Sequence, residues 1–287
     1  MGVEIDIISR ITERFIELSS AEKRIAQFIL DDAEAVTALP IAELARQANV
    51  SQASITRFAK ALGCRDVRDL KVKLAQSLAV GQRFIHEEPD LEGIQGIYES
   101  IINVLNINRR SLDDAALAKA VELLSGARQI VAMGMGGGST LCAAEIQHRL
   151  FRLGLPVTAQ NDGLLVRMMA AVVSRQDVVV ALSLGGYTQE VVESAAIARQ
   201  YGAKVVVIAP AGTPLAAQAD VLLALVVQEN DYIYKPSSSR YAMLAMVDVL
   251  ATALAMANKR QSRDRLRRIK LALDSHRGGA DRQPLGD

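Results

Sequence analysis

Five short apolar runs, each followed by a turn rich in small or polar residues, constrain this chain more than any other feature. They fall at Gln129–Gly134, Leu155–Ala159, Asp177–Ser183, Lys204–Ala209 and Asp220–Val227, and helical patterns separate most of them. Val178-Val179-Val180-Ala181-Leu182 is apolar at every position, so neither face of such a strand can be turned to water. Strands of that kind, alternating with amphipathic helices, predict a parallel, doubly wound α/β sheet covered on both sides. Composition agrees. Half of the residues are apolar but only 4% are aromatic and none is tryptophan, so Ala, Val, Leu and Ile must fill the interior.

The first eighty residues follow a different rule. Ile7, Ile8, Ile11, Phe15 and Leu18 recur at helical spacing, as do Ile25, Phe28 and Ile29. Ser19 and Glu22 stand three apart, as a capping box requires. The fold class expected is therefore an all-α helix-turn-helix domain followed by the α/β domain. The polar stretch from Gly81 through Pro89 to Asp90 marks a boundary. The division expected is residues 1–80, a linker at 81–93, the sheet domain at 94–260, and a basic C-terminal tail at 261–287.

Within the helical domain, IAELARQANVSQASITRFAKALG (Ile41–Gly63) carries the first chemical suggestion. Ile41, Leu44 and Ala45 make a short apolar face, Ala48-Asn49-Val50 a tight turn, and Ser51 an N-cap. Ile55, Phe58, Ala59 and Leu62 line the buried side of a second helix that Gly63 ends. Ser51, Gln52, Ala53, Ser54, Thr56, Arg57 and Lys60 remain for the other face, the side-chain types that contact base edges and phosphates. Although 33 Lys and Arg nearly cancel 32 Asp and Glu overall, Ser51–Gln76 holds six basic residues against two acidic ones. Near-neutrality excludes a general polyanion binder but not a local reading head. A helical hairpin with a solvated basic face is the alternative.

Two glycine-rich turns follow strands in the second domain. After the first strand come Gly136, Gly137, Gly138, Ser139 and Thr140; after the third come Ser183, Gly185, Gly186, Thr188 and Glu190. Both open helices, where unpaired N–H groups and the helix dipole suit an anion. A dinucleotide fingerprint would need a third glycine where Ser139 stands, although Asp162 could reach a ribose. Two ordinary βα turns capped by hydroxyls are the alternative for either loop alone. Together they point to a phosphorylated ligand. Glu145 with His148, or Glu190, could act as acid and base, and Glu229, Ser239 and Arg240 could close over a sugar; each also has a purely structural explanation. Three histidines and two distant cysteines supply neither a metal-ligand cluster nor a CxxC pair, so no metal or cofactor is expected. No stretch approaches 18 consecutive apolar residues, and the protein reads as soluble, cytoplasmic and free of the membrane.

Together these segments resemble the RpiR family of bacterial transcription regulators, which join a helix-turn-helix domain to a sugar isomerase (SIS) domain. The resemblance covers nearly the whole chain. It rests on Val50 through Phe58, Leu62-Gly63, Leu70-Lys71 and the paired loops. It implies double-stranded operator DNA as one partner, a sugar phosphate as effector, no catalysis, and a homodimer or homotetramer. Leu266-Arg267-Arg268-Ile269-Lys270 adds a likeness to members that govern hexose catabolism, which implies 2-keto-3-deoxy-6-phosphogluconate. Ser183 and Thr188 fall in the family's phosphate loop. The sequence departs from the pattern at Gly185, where a hydroxyl is usual, and at Gly138, with the expected serine one place later at Ser139. A sugar-phosphate isomerase is the rival reading, and a nucleotide-cofactor protein the third.

Overall fold

The structure is a computed structural model that describes residues 6–84, 93–228 and 237–276. It divides into two compact units. The first is built from α1 (Ile7–Arg14), α2 (Ser20–Asp31), α3 (Ala33–Ala38), α4 (Ile41–Gln47), α5 (Gln52–Ala61) and α6 (Val67–Phe84). The capping box at α2 forms: the Glu22 amide donates to the Ser19 hydroxyl and the Ser19 amide to the Glu22 carboxylate at 2.9 Å. Ile11, Ile25, Ile29, Leu44, Ile55, Phe58 and Leu74 close one core beneath these helices. The Lys71 ammonium donates to the carbonyls of Thr37 and Leu39 and so ties α6 to the end of α3. Helix α6 runs past residue 80, through Gly81 to Phe84, four residues into the expected linker. Pro89 and the rest of 85–92 lie outside the described residues, as do Glu229 and the chain beyond His276.

The second unit holds α7 (Gly93–Ser111), α8 (Asp114–Ser125), β1 (Ile130–Gly134), α9 (Gly137–Arg152), β2 (Val157–Gln160), α10 (Gly163–Val172), β3 (Val178–Leu182), α11 (Gln189–Gln200), β4 (Lys204–Pro210), β5 (Val221–Leu225), α12 (Ser239–Ala257) and α13 (Lys259–His276). All pairings are parallel and the strand order is β2-β1-β3-β4-β5. Alternate strand residues serve opposite layers. Ile130, Ala132, Val178, Val180 and Leu182 pack with α8, α9 and α12, while Val131, Met133, Val179 and Ala181 pack with α10 and α11. This is why β1 and β3 are buried at every residue.

At the amino-terminal edge of the sheet one buried carboxylate joins two chain segments. Asp177 accepts a two-pronged bond from the Arg128 guanidinium (2.9 and 2.7 Å) and further bonds from the amide and hydroxyl of Ser174. The Arg128 bond, with help from Ser174, holds the Asp177 carboxyl at about 2.

Two helices add to the expected picture. The segment read as a basic tail from residue 261 is helical through His276, because Leu266 packs toward α9 and α12 and Arg265 donates to the Leu153 carbonyl. Helix α12 is long and apolar enough in length and composition to cross a membrane, although Arg240 and Asp248 interrupt its apolar run. Its Met243, Val247, Leu250 and Leu254 lie in the sheet's core, and Asp248 stands 3.6 Å from Arg149.

Candidate functional site

Two places gather the chemistry. The first is the α4–α5 pair. Helix α4 ends in a left-handed turn at Asn49 (φ 50), a conformation asparagine tolerates better than most side chains. The Val50 amide bonds back to the Ala45 carbonyl and the Asn49 amide to Arg46, which closes the helix and turns the chain sharply. Ser51 then caps α5, its hydroxyl accepting from the Ser54 amide at 3.1 Å. Ile55, Phe58 and Ala59 are fully buried against α4 and its neighbours. At the far end Gly63 (φ 78) repeats the same closure, and Arg10 and Arg14 of α1 donate to the Leu62 and Ala61 carbonyls.

Of the residues expected on the reading face, Ser51, Gln52, Ala53, Arg57 and Lys60 are exposed. Ser54 is not: it is 8% exposed, its hydroxyl shared with Ser51 and accepting from Arg57 at 3.2 Å. Thr56 is half-buried and donates to the Gln52 carbonyl. These two therefore shape the helix rather than face outward. The local basic excess is also partly spent inside the unit, since Asp69 pairs with Arg65 and Lys73, and Lys71 is bound to carbonyls.

The second place is the carboxyl edge of the sheet. Gly134 at the end of β1 is paired with Leu182 at the end of β3, so the two glycine-rich loops leave the sheet side by side. They then diverge, α9 to one face and α11 to the other, which makes this the switch point where open α/β sheets bind ligands. Neither helix is closed by a side chain: Gly136 (φ 83) stands at the N-cap of α9 and Thr188 at that of α11, with no capping bond at either. Among the described residues the amides of Gly136, Gly137, Gly138, Gly185 and Tyr187 have no backbone acceptor. A methyl group added to Gly136, Gly137 or Gly185 would meet open space. These are two dipole ends and a set of amides without backbone acceptors, side by side at one edge of the sheet.

The hydroxyls serve mostly as scaffolding. Ser139 is 5% exposed and accepts from the Leu184 amide at 3.2 Å, stitching the first loop to the second. Ser183 is buried beneath its loop, accepts from the Gly186 amide at 2.9 Å, and lies 3.1 Å from the Thr188 hydroxyl. Thr140 donates to the Gly134 carbonyl, and Thr188 is half-buried beside exposed Tyr187. Gly186 (φ 74) sits so tightly that an added methyl would fall 2.3 Å from the Thr213 hydroxyl oxygen. Thr213, on the turn after β4, had no local signal in the sequence; only the β3–β4 pairing brings it here.

Arg240, in the first turn of α12, is one of the residues expected to close over a sugar, and the structure sets its backbone against the first glycine-rich loop. An added methyl on Gly138 would lie 3.1 Å from its Cβ and 2.8 Å from Leu184 Cδ1, so Gly138 is small to admit both. The guanidinium stands 5.0 Å over the Tyr241 ring. Glu190 is exposed at the start of α11 and packs by its Cγ toward Gly163. Glu145 and His148 are not at the loops. They lie further along α9, where Glu145 pairs with Arg149 and His148 stands 3.8 Å away. Asp162 caps α10 through one carboxylate oxygen, which accepts from the Leu164 and Leu165 amides. Ser239 accepts from the Gln228 amide and so anchors α12. Among the described residues no three His, Cys, Asp or Glu side chains group as metal ligands. A cavity of about 370 Å³ between α9, α12 and α13 shares no residue with the loops.

A capped, basic reading helix in one unit and an open-ended switch-point crevice in the other define a two-part transcription regulator. The comparisons agree. Residues 5–81 match the rpiR-family helix-turn-helix domain and residues 123–253 the SIS domain. The chain is 36% identical over 278 residues to the HTH-type transcriptional regulator HexR of Escherichia coli K12, covering 95% of this chain and 96% of that one. It is 36% identical to HexR of Pseudomonas aeruginosa over 93% of this chain and 95% of that one. It is also 32% identical to the bifunctional protein glk of Burkholderia orbicola, over 89% of this chain but 40% of that longer protein. Vibrio vulnificus NanR complexed with ManNAc-6P shares the fold at a TM-score of 0.59 and 24% identity, over 93% of this chain and 98% of that one. The chain belongs to the RpiR family of helix-turn-helix regulators that carry an SIS domain, and it is HexR-like within it.

Proposed function

We propose that this chain controls carbohydrate-metabolism genes by binding operator DNA through α5, and that a phosphorylated sugar in the switch-point crevice alters that binding. The observation that carries the ligand half is the pair of uncapped helix ends, α9 and α11, opening side by side with Arg240 adjacent. A phosphate monoester is the ligand class whose charge and several acceptor oxygens match such an array of donors. Backbone amides do here what hydroxyls at positions 138 and 185 would otherwise do. Likeness to HexR makes 2-keto-3-deoxy-6-phosphogluconate the first effector to test. The effector changes operator affinity only by its differential affinity for the DNA-competent arrangement.

Catalysis has little support in this site. The acid–base candidates Glu145 and His148 are held in an ion-pair cluster on α9, away from the loops.

The test is selection of a binding site from random double-stranded DNA, followed by gel-shift titration with a panel of sugar phosphates and their unphosphorylated sugars. One phosphorylated member should shift operator affinity by about tenfold or more, the size of an ordinary allosteric coupling, and raise the melting temperature. A panel that moves neither quantity sinks the ligand half. Turnover of a sugar phosphate that Glu190→Gln abolishes would overturn the non-enzymatic reading.

A further inference from the structure

At the amino-terminal edge of the sheet, opposite the glycine-rich loops, lies a second cavity, of about 290 Å³. Its walls are the end of α8, the Leu153–Pro156 turn into β2, and the junction where α12 gives way to α13. Ligand pockets run from about 300 to 1,000 Å³, so this one suits a small metabolite rather than a nucleotide. Ser125, Asn258, Gln261, Ser262 and Arg265 supply its polar groups, and no carboxylate is among its lining residues.

These groups have unused hydrogen-bonding capacity. Ser262 is 6% exposed, yet its hydroxyl makes no hydrogen bond among the described residues. A buried hydroxyl without a partner is costly, and a ligand oxygen beside it would remove that cost. Arg265 spends one nitrogen on the Leu153 carbonyl, and the rest of its guanidinium has no protein partner among the described residues. A methyl on Gly154 (φ 72) would fall 2.5 Å from the guanidinium carbon, so glycine there makes room for the cation. The Gln261 carboxamide oxygen accepts from Asn258, which leaves the Gln261 amino group as a donor.

The backbone around the cavity is disposed toward an anion as well. The Lys259, Arg260 and Gln261 amides that open α13 have no backbone acceptor among the described residues. The carbonyl ends of α8 and α9, which would repel an anion, are closed. Glu122 and Leu124 accept from the Gly126 and Ala127 amides, Leu150 and Phe151 from the Leu155 and Gly154 amides, and Leu153 from Arg265. Along α13, Lys259, Arg260, Arg263, Arg267 and Arg268 are exposed against one exposed acid, Asp264, a field that draws small anions.

We propose that this cavity is a second ligand site, for a small hydroxylated oxyanion, either a carboxylate or a phosphate monoester. Arg265 takes the oxyanion with its planar fork beside the open end of α13. Ser262, Ser125 and the Asn258 carboxamide answer the ligand's hydroxyls, since each can both donate and accept. The site shares no residue with the glycine-rich loops and does not depend on what binds there. Helix α9 nevertheless joins the two places: Gly137 opens it at the first loop, and Leu153 in the cavity wall follows its last residue, Arg152.

Backbone-amide NMR of the full isotope-labelled chain reads the two places separately. D-Glycerate and glycerol 3-phosphate are the oxyanion probes, and glycerol is the uncharged control. At least one oxyanion should shift the Gly154 and Ser262 amides saturably, at concentrations about tenfold or more below those glycerol needs. The tighter of the two tells carboxylate from phosphate. Arg265→Lys keeps the charge but loses the fork, and should weaken that titration about tenfold. Ser262→Leu fills the cavity and should abolish it, with circular dichroism reporting that each variant folds. The Gly137 and Gly185 amides report on the crevice, so binding there is not mistaken for binding here. Shifts confined to Gly137 and Gly185, no saturable shift with either oxyanion, an equal response to glycerol, or unweakened binding by a folded variant would each remove the site.

Discussion

The reading helix α5 and the two loop helices α9 and α11 begin in opposite ways. In the helix-turn-helix unit Asp6, Ser19, Asp32 and Ser51 each close a helix with a side-chain bond to its first-turn amides. In the sheet unit Asp113 and Asp162 do the same for α8 and α10, yet α9 and α11 start at Gly136 and Thr188 with no such bond. Where the cap is made at home, recognition passes to side chains further along, as with Gln52, Arg57 and Lys60. Where it is left unmade, the backbone itself is the recognition element, and an anion would complete the helix.

Substitutions can break that contrast. The largest effect is expected for Gly186→Val, which puts a branched side chain at φ 74 against Thr213. It should cost about 3 kcal/mol or more through strain and overlap, and abolish sugar-phosphate stabilisation in a thermal melt. Arg57→Ala comes next. It should weaken specific operator binding by about 1–3 kcal/mol while ligand-induced stabilisation stays intact, as a gel-shift titration beside a melt would show.

A matched pair sharpens the comparison further. Ser51→Ala removes a cap and should cost about 1 kcal/mol of stability without altering sugar-phosphate affinity. Thr188→Ala removes none, so its effect should appear in ligand affinity and hardly at all in the apo melt. An equal loss of apo stability in both would erase the distinction.

The smallest effect concerns pH. The Ser19 hydroxyl and amide hold the Glu22 carboxyl below its ordinary 4.5. A depressed carboxyl contributes stability that is full above 4.5 and fades as pH falls through the folded value. Glu22→Gln should therefore flatten the acid limb of a melting-temperature profile. The uncapped helices α9 and α11 have no carboxylate cap to add to that limb.

What the sequence disclosed and what it hid follow from the range of the interactions. The strands, the Ser51 cap, the Gly63 stop and the two loops depend on residues within a few positions of one another, and periodicity and turn chemistry report such things. Which hydroxyls face a ligand depends on pairing across the fold. Ser139 looked free until Leu184 was brought to it by the β1–β3 register, and Ser54 until Arg57 folded back over it. Arg240 is about a hundred residues from Gly138, and no local pattern could bring them together. The last helix was missed for a related reason. Its many charges read as a basic tail, while Arg265 and Leu266, which meet Leu153 and the neighbouring helices, are recognisable only once the chain is folded.

The Asp177 clamp has a mechanical consequence. Arg128 enters β1, Ser174 precedes β3, and Asp177 locks both at the sheet's amino-terminal edge. The sheet is then a plate clamped by an ion pair along one border, with its glycine turns on the opposite border held only by the hydroxyl bonds of Ser139 and Ser183. Fluctuation is damped at the root and delivered to the rim, so amide hydrogens should exchange slowly at Val178 and progressively faster toward Gly185. A plate anchored this way lets the rim close on a small anion without disturbing the strands that carry it.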